Sequence, residues 1–293
     1  MTDILLRGML PEVKIRFAVC QAADVCGEAL RRHNTDALSG WLLSEALTCA
    51  VLTSVTLKDQ EKITLRWMYD GPAGEIMADA SAQGRVRGFA QRPRLLERVQ
   101  TLDEALGKDG RVVAVSSLPH KVLQTGITGA VFRDLPRDLA HLFSLSFQVE
   151  SALAIGLFIP QAEPPRVVSA LGVLMQPLPG ADLEVFEQVR ATLESPDFRA
   201  WLEQEPRQPE AVLARAGPGQ GVQALESLVP VFACECSAEK VRNVLRMLDP
   251  ADLRETLREE GRVDVQCHFC GEAYEFSEPE VLSLLERDET GHG

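Results

Sequence analysis

The chain has 293 residues, 45% of them hydrophobic but only 5% aromatic, and a formal net charge of −13. That length allows one large domain or two smaller ones around an aliphatic core, and the acidic surplus disfavours nucleic acid, whose phosphates demand a basic face. Seven cysteines, behind a start (Met1-Thr2-Asp3-Ile4) with no basic and then apolar stretch, predict a reducing compartment, the cytoplasm.

From the N-terminus, Val13, Ile15, Phe17 and Val19 alternate with Lys14, Arg16 and Ala18, which predicts a strand. Residues 21–32 and 37–57 predict helices. The second is apolar nearly all round but carries Ser39, Ser44, Glu45, Thr48, Ser54 and Thr56, so it reads as a buried core helix and not a membrane span. Residues 63–69 alternate again and end at Asp70-Gly71-Pro72-Ala73-Gly74, a strong turn signal. Residues 75–80 and 85–90 complete an antiparallel meander. Residues 111–117 predict a strand, 126–129 a glycine-bearing turn, 136–147 a helix, and 151–159 and 167–176 two apolar strands.

A boundary falls at 177–180. Beyond it Leu183, Phe186, Val189 and Leu193 recur at helical spacing, and short helical pieces continue to about Leu228, broken by Pro196, Pro206, Pro209 and Gly217-Pro218-Gly219. In the last part Asp249-Pro250 reads as a cap and first helical residue, and Gly261 as the stop. A strand over 263–266 leads into a turn. Tyr274 and Phe276 share one face of the return strand, and Ser277 with Glu280 opens a terminal helix. The expected architecture is α+β: an N-terminal core of β-sheets with a buried helix (1–179), a helical linker (180–230) and a small C-terminal zinc-binding domain (231–293).

Four of the seven cysteines sit in that last domain, as Cys234-Glu235-Cys236 and, after a gap of 30 residues, Cys267-His268-Phe269-Cys270. Two tight pairs can close a tetrahedral all-thiolate zinc site. A strand, Cys-x-x-Cys, strand order points both sulfurs at one ion, whereas Cys-x-Cys needs a bend near Glu235, since alternate strand residues face opposite ways. A core of about 60 residues is marginal by itself, so this domain depends on its metal. The same thiols form disulfides when oxidised. Spacing alone fits a static structural site more often than a switch. Cys20, Cys26 and Cys49 read as inert buried thiols. Two other classes compete: a zinc-dependent thiol-disulfide oxidoreductase using Cys267 and Cys270, and a zinc-ribbon nucleic-acid binder. Against the second, residues 231–293 hold seven basic and fifteen acidic residues, a net of −8.

The two cysteine pairs with their gap, followed by Tyr274-Glu275-Phe276-Ser277, resemble the redox-switch domain of the heat-shock protein of 33 kilodaltons, a family of redox-regulated holdase chaperones. Asp70-Gly71-Pro72-Ala73-Gly74, Gly84-Arg85-Val86-Arg87-Gly88 and Leu171-Gly172-Val173-Leu174-Met175-Gln176-Pro177 are similar to its core, so the likeness covers nearly the whole chain; residues 116–128 depart from it. The resemblance implies a helix buried between sheets and one Zn2+ per reduced chain, held by Cys234, Cys236, Cys267 and Cys270. It implies activation without ATP by disulfides Cys234–Cys236 and Cys267–Cys270, with zinc release and linker unfolding. It also implies binding of unfolded proteins, homodimers when oxidised, and no enzyme activity, nucleic acid or membrane. Leu183, Phe186, Val189, Phe198 and Trp201 of the linker are the client-contact candidates, expected to pack on the core at rest.

Overall fold

A computed structural model of the protein describes residues 2–160, 164–217 and 221–289; Pro218 and Gly219 of the expected linker lie outside them. In chain order the first part contains β1 (Ile4–Leu10), β2 (Ile15–Gln21), α1 (Ala23–His33), α2 (Ala37–Thr53), β3 (Lys62–Tyr69), β4 (Glu75–Ser81), β5 (Arg85–Ala90), α3 (Leu102–Leu106), β6 (Gly110–Leu118), β7 (Lys121–Gly129), α4 (Leu135–Phe147), β8 (Ala152–Phe158) and β9 (Ser169–Pro177). Then come α5 (Leu183–Leu193), α6 (Pro196–Gln204), α7 (Pro209–Ala216), β10 (Gln223–Leu228), β11 (Val231–Phe232), α8 (Ala238–Leu245), α9 (Pro250–Glu260), β12 (Arg262–Gln266), β13 (Ala273–Ser277) and α10 (Glu278–Glu289). The strands form sheets ordered β10-β1-β2-β9-β8 and β11-β5-β4-β3-β6-β7, and a hairpin β12-β13. The chain divides into two compact units, 1–233 and 234–293.

Helix α2 lies between the two large sheets, against β3, β4 and β5 on one side and β2, β8 and β9 on the other. Fourteen of its seventeen residues are buried, which accounts for a helix apolar enough in composition to cross a membrane. Three of its buried hydroxyl groups are paired: Thr48, Thr53 and Ser54 donate to the carbonyls of Ser44, Cys49 and Val51, whereas those of Ser39 and Ser44 are buried without a partner. Asp36 caps the start by accepting from the Ser39 amide at 2.8 Å. The helix ends at Thr53, and a 3-10 turn covers Ser54–Thr56.

The five-stranded sheet is apolar on both faces. Strand period two sends Ala18, Cys20, Leu153, Ile155, Leu157, Ala170 and Leu174 toward α2. The alternate residues, Ile15, Phe17, Val19, Ala152, Ala154, Leu171, Val173 and Met175, face the other way and meet Phe186, Val189, Leu193, Phe198, Leu202, Val212, Leu213 and Ala216 of α5–α7. Each large side chain buried there contributes about 1.5–3 kcal/mol. Gly156 permits the close approach of α6, since a Cβ there would overlap Leu202 Cβ and lie 2.8 Å from its carbonyl carbon. A charge cluster adds to the docking: Arg199 of α6 reaches the buried Glu45 of α2 at 2.6 Å and Asp134, the cap of α4, at 2.5 Å.

The structure corrects the sequence reading in four places. The tail of the expected helical linker is strand β10, paired antiparallel with β1, and β1 itself was not predicted. Residues 126–129 are not a turn but the end of β7, which pairs with β6 across a bulge at Ser116/Ser117. Residues 116–128 therefore form the tip of a hairpin that turns at Pro119-His120. Leu183 does not pack on the core: it is 62% exposed, because at about 100° per residue it lies about 90° round the helix from the mean of Phe186, Val189 and Leu193.

Candidate metal centre

At the start of the 234–293 unit, residues 234–237 have no regular structure, so Cys234 and Cys236 are free of the opposite-facing geometry of a strand. Two contacts brace this segment. Ser237 caps α8 by accepting from the Lys240 amide at 3.2 Å, and the Lys240 ammonium donates to the Glu235 carbonyl at 2.6 Å. The second pair occupies the loop of the β12-β13 hairpin. There the Cys267 amide donates to the Glu272 carbonyl and the Gly271 amide to the Cys267 carbonyl, both at 2.8 Å. Gly271 takes φ +71, a conformation that needs no Cβ. Helices α8 and α9 fold back on the hairpin: Val241, Leu245, Leu253 and Leu257 join Val263, Phe276, Val281, Leu284 and Leu285 in one buried cluster. Asp249 caps α9 through the Ala251 amide and Gly261 ends it.

This folding brings the four sulfurs together. The Sγ atoms of Cys234, Cys236, Cys267 and Cys270 all lie within 4.8 Å of one another; Cys234 is 3.7 Å from Cys267, and Cys236 is 3.3 Å from Cys270. Four sulfurs about 2.3 Å from a central zinc would sit about 3.8 Å apart, so the thiols present fit that ion without rearrangement of the chain. Burial, the largest influence, pushes the Cys267 and Cys270 thiols up. A cation among them reverses that preference and holds thiolates. The Tyr274 hydroxyl donates to Cys236 Sγ at 3.1 Å, a contact the sequence reading missed. Its signal was present: Tyr274 faces the same way as Phe276 on the strand that returns from the second pair, and it pairs with Val265.

Cys20, Cys26 and Cys49 are fully buried in the other unit, where desolvation pushes all three thiols up, Cys26 to about 12. They are unreactive packing residues, as expected. Of the client-contact candidates, Phe186, Val189 and Phe198 are buried under α5 and α6. Trp201 is half-buried, with the Arg207 and Arg215 guanidinium groups 4.1 and 4.8 Å from its ring centre. None of the five belongs to the cysteine-bearing unit. Cys267 and Cys270 lie in a hairpin loop and not at a helix N-terminus, the usual means of activating an oxidoreductase thiol.

Fold and site define a two-unit α+β protein whose smaller unit gathers four thiols close enough together to hold one metal ion. The family model described as Hsp33 protein matches residues 3–277. A 33 kDa chaperonin from Desulforamulus reducens is 30% identical over 99% of both chains, and one from Bacillus licheniformis is 31% identical over 98% of this chain and 99% of its own. The crystal structure of the 33 kDa chaperonin of Thermotoga maritima superimposes with a TM-score of 0.86 at 26% identity, covering 99% of this chain and all of that one. The chain belongs to the Hsp33 family and is a chaperone of that type.

Proposed function

We propose that the chain is an ATP-independent holdase gated by the oxidation state of Cys234, Cys236, Cys267 and Cys270. The observation that carries this reading is the four-thiol cluster in a unit whose described residues bury one cluster of nine apolar side chains, directly after strands β10 and β11 at the edges of the two large sheets. One zinc ion per chain would join both cysteine pairs and contribute about 10–16 kcal/mol to folding of the small unit. Oxidation withdraws two electrons from Cys234 and Cys236 and two from Cys267 and Cys270, forming one S–S bond in each pair. A peroxide accepts each electron pair and becomes two waters, and no thiolate remains to hold a metal.

The small unit then loses its organising centre. Helices α5, α6 and α7 have eleven, nine and eight residues, too short to persist once undocked. Their release uncovers Phe186, Val189, Phe198 and Trp201 together with Ile15, Phe17, Val19, Leu171, Val173 and Met175 of the sheet. Unfolded chains adhere to such surfaces, and oxidised homodimers belong to the same reading. Nothing in this cycle requires catalysis. The cytoplasm, which keeps thiols reduced, suits a resting state that needs four free thiols. The test is light scattering from a thermally unfolding client. Suppression by the peroxide-oxidised protein but not by the reduced, zinc-loaded protein is expected; equal suppression by both would leave a constitutive chaperone with a structural metal.

A further inference from the structure

Residues 223–233, immediately before Cys234, lie along the edges of both large sheets. Strand β10 pairs with β1 in the register Leu5 with Leu228, Leu6 with Ser227, Arg7 with Glu226, Gly8 with Ala224 and Met9 with Gln223. Strand β11 then runs parallel to β5, and the Ala233 amide donates to the Val86 carbonyl at 2.8 Å. The described side chains of β10 contribute little to holding it. Gln223, Ala224, Glu226 and Ser227 are exposed, Leu228 is half-buried against the core around α2, and Glu226 makes a surface ion pair with Arg7. By contrast β1 is anchored independently of β10. It pairs with β2 along its full length, and Leu5 and Leu10 are buried. Loss of β10 would leave β1 in place as a seven-residue edge of unpaired N–H and C=O groups.

We infer that the β1 edge is a client-binding site that takes an extended segment of an unfolded polypeptide by strand addition, with β10 occupying the site at rest. This inference rests on the proposed holdase reading. An edge read through the main chain accepts any sequence without proline, which matches clients whose only shared property is being unfolded. Side-chain preference follows from the sheet. Leu6 and Leu10 of β1 belong to the face that α5–α7 cover, so after release alternate residues of the added strand lie beside fresh apolar surface. The preferred ligand is therefore an extended segment of about five residues or more with apolar side chains at alternate positions.

Hydrogen–deuterium exchange on the oxidised full-length protein, with and without a permanently unfolded, reduced and carboxymethylated protein, reads the site directly. Slowed exchange of Ile4–Leu10 amides on client binding is expected. Client binding with unchanged exchange there would overturn the edge site and leave the holdase reading standing, whereas no client binding by the oxidised protein would overturn both. Protection that appears without client and grows with the protein's own concentration would identify the occupant as a second copy and also overturn the proposal. Glu226→Pro with Ser227→Pro supplies a second test, because proline cannot donate to the ladder. Reduced and zinc-loaded, that variant is expected to bind the same unfolded protein about tenfold more tightly than the reduced parent; equal binding would count against the edge.

Discussion

The 1–233 unit buries two large apolar clusters, one around α2 and one between the five-stranded sheet and α5–α7, whereas the described part of the 234–293 unit buries a single cluster of nine side chains. The first has the apolar area to fold by itself. The second has four thiols within reach of one ion at its cysteine end. On the proposed reading, a chemical event at four sulfurs dismantles the smaller unit and spares the α2 core of the larger. The last part of the larger unit, immediately before the first cysteine, is the tract from α5 to β11, whose elements are short and whose last strands pair with β1 and β5.

The largest expected effect comes from the metal centre. Cys267→Ser removes one of four ligands, and with about 10–16 kcal/mol of metal binding at stake the small unit is expected to lose dispersed NMR signals from Val263 and Phe276 while those of α2 remain. A chelator strong enough to strip the parent protein should do the same. Next is the polar cluster. Arg199→Leu removes the donor that ties α6 to Glu45 and Asp134; since the Arg199 side chain is 33% exposed, a cost of about 1.5–3 kcal/mol is expected, the range for hydrogen bonds to charged groups. It would register as binding of an apolar dye by reduced protein. Gly156→Ala should act in the same direction at about 1–3 kcal/mol, because the added methyl overlaps Leu202 and lifts α6 from β8.

The smallest effect is on pH dependence. Burial pushes Glu45 up to about 8 from its usual 4.5, with Arg199 the chief opposing influence. The docked chain therefore binds this proton more tightly than the unfolded one. The stability it contributes is complete below about pH 4.5 and fades as pH rises through about 8. Thermal melts of the reduced protein between pH 5 and 8.5 should slope downward with pH, and Glu45→Gln should flatten that slope.

Much of the C-terminal unit was legible in the sequence because local rules govern it. Asp249-Pro250 and Gly261 bound α9, the Ser277 amide and hydroxyl donate to the Glu280 carboxylate at the start of α10, and the cysteine spacing marks where sulfurs meet. Buried helix α2 was legible from composition. The missed features depend on distant partners. Strand β10 lacks a strand-like apolar pattern because its side chains mostly face solvent, and only its pairing with β1, more than 200 residues earlier, makes it a strand. Arg199 meets Glu45 and Asp134 across 154 and 65 residues. A lone Glu within an apolar helix did signal that a cation must come from elsewhere, but not which one.

The most direct test of the account is hydrogen–deuterium exchange resolved by segment, comparing reduced, zinc-loaded protein with peroxide-oxidised protein. The expected result is loss of protection across α5–α7 and residues 234–289 on oxidation, with α2 unchanged. Retained protection of α5–α7 after both disulfides have formed would contradict the account, since the thiol centre would then not control the surface over the sheet.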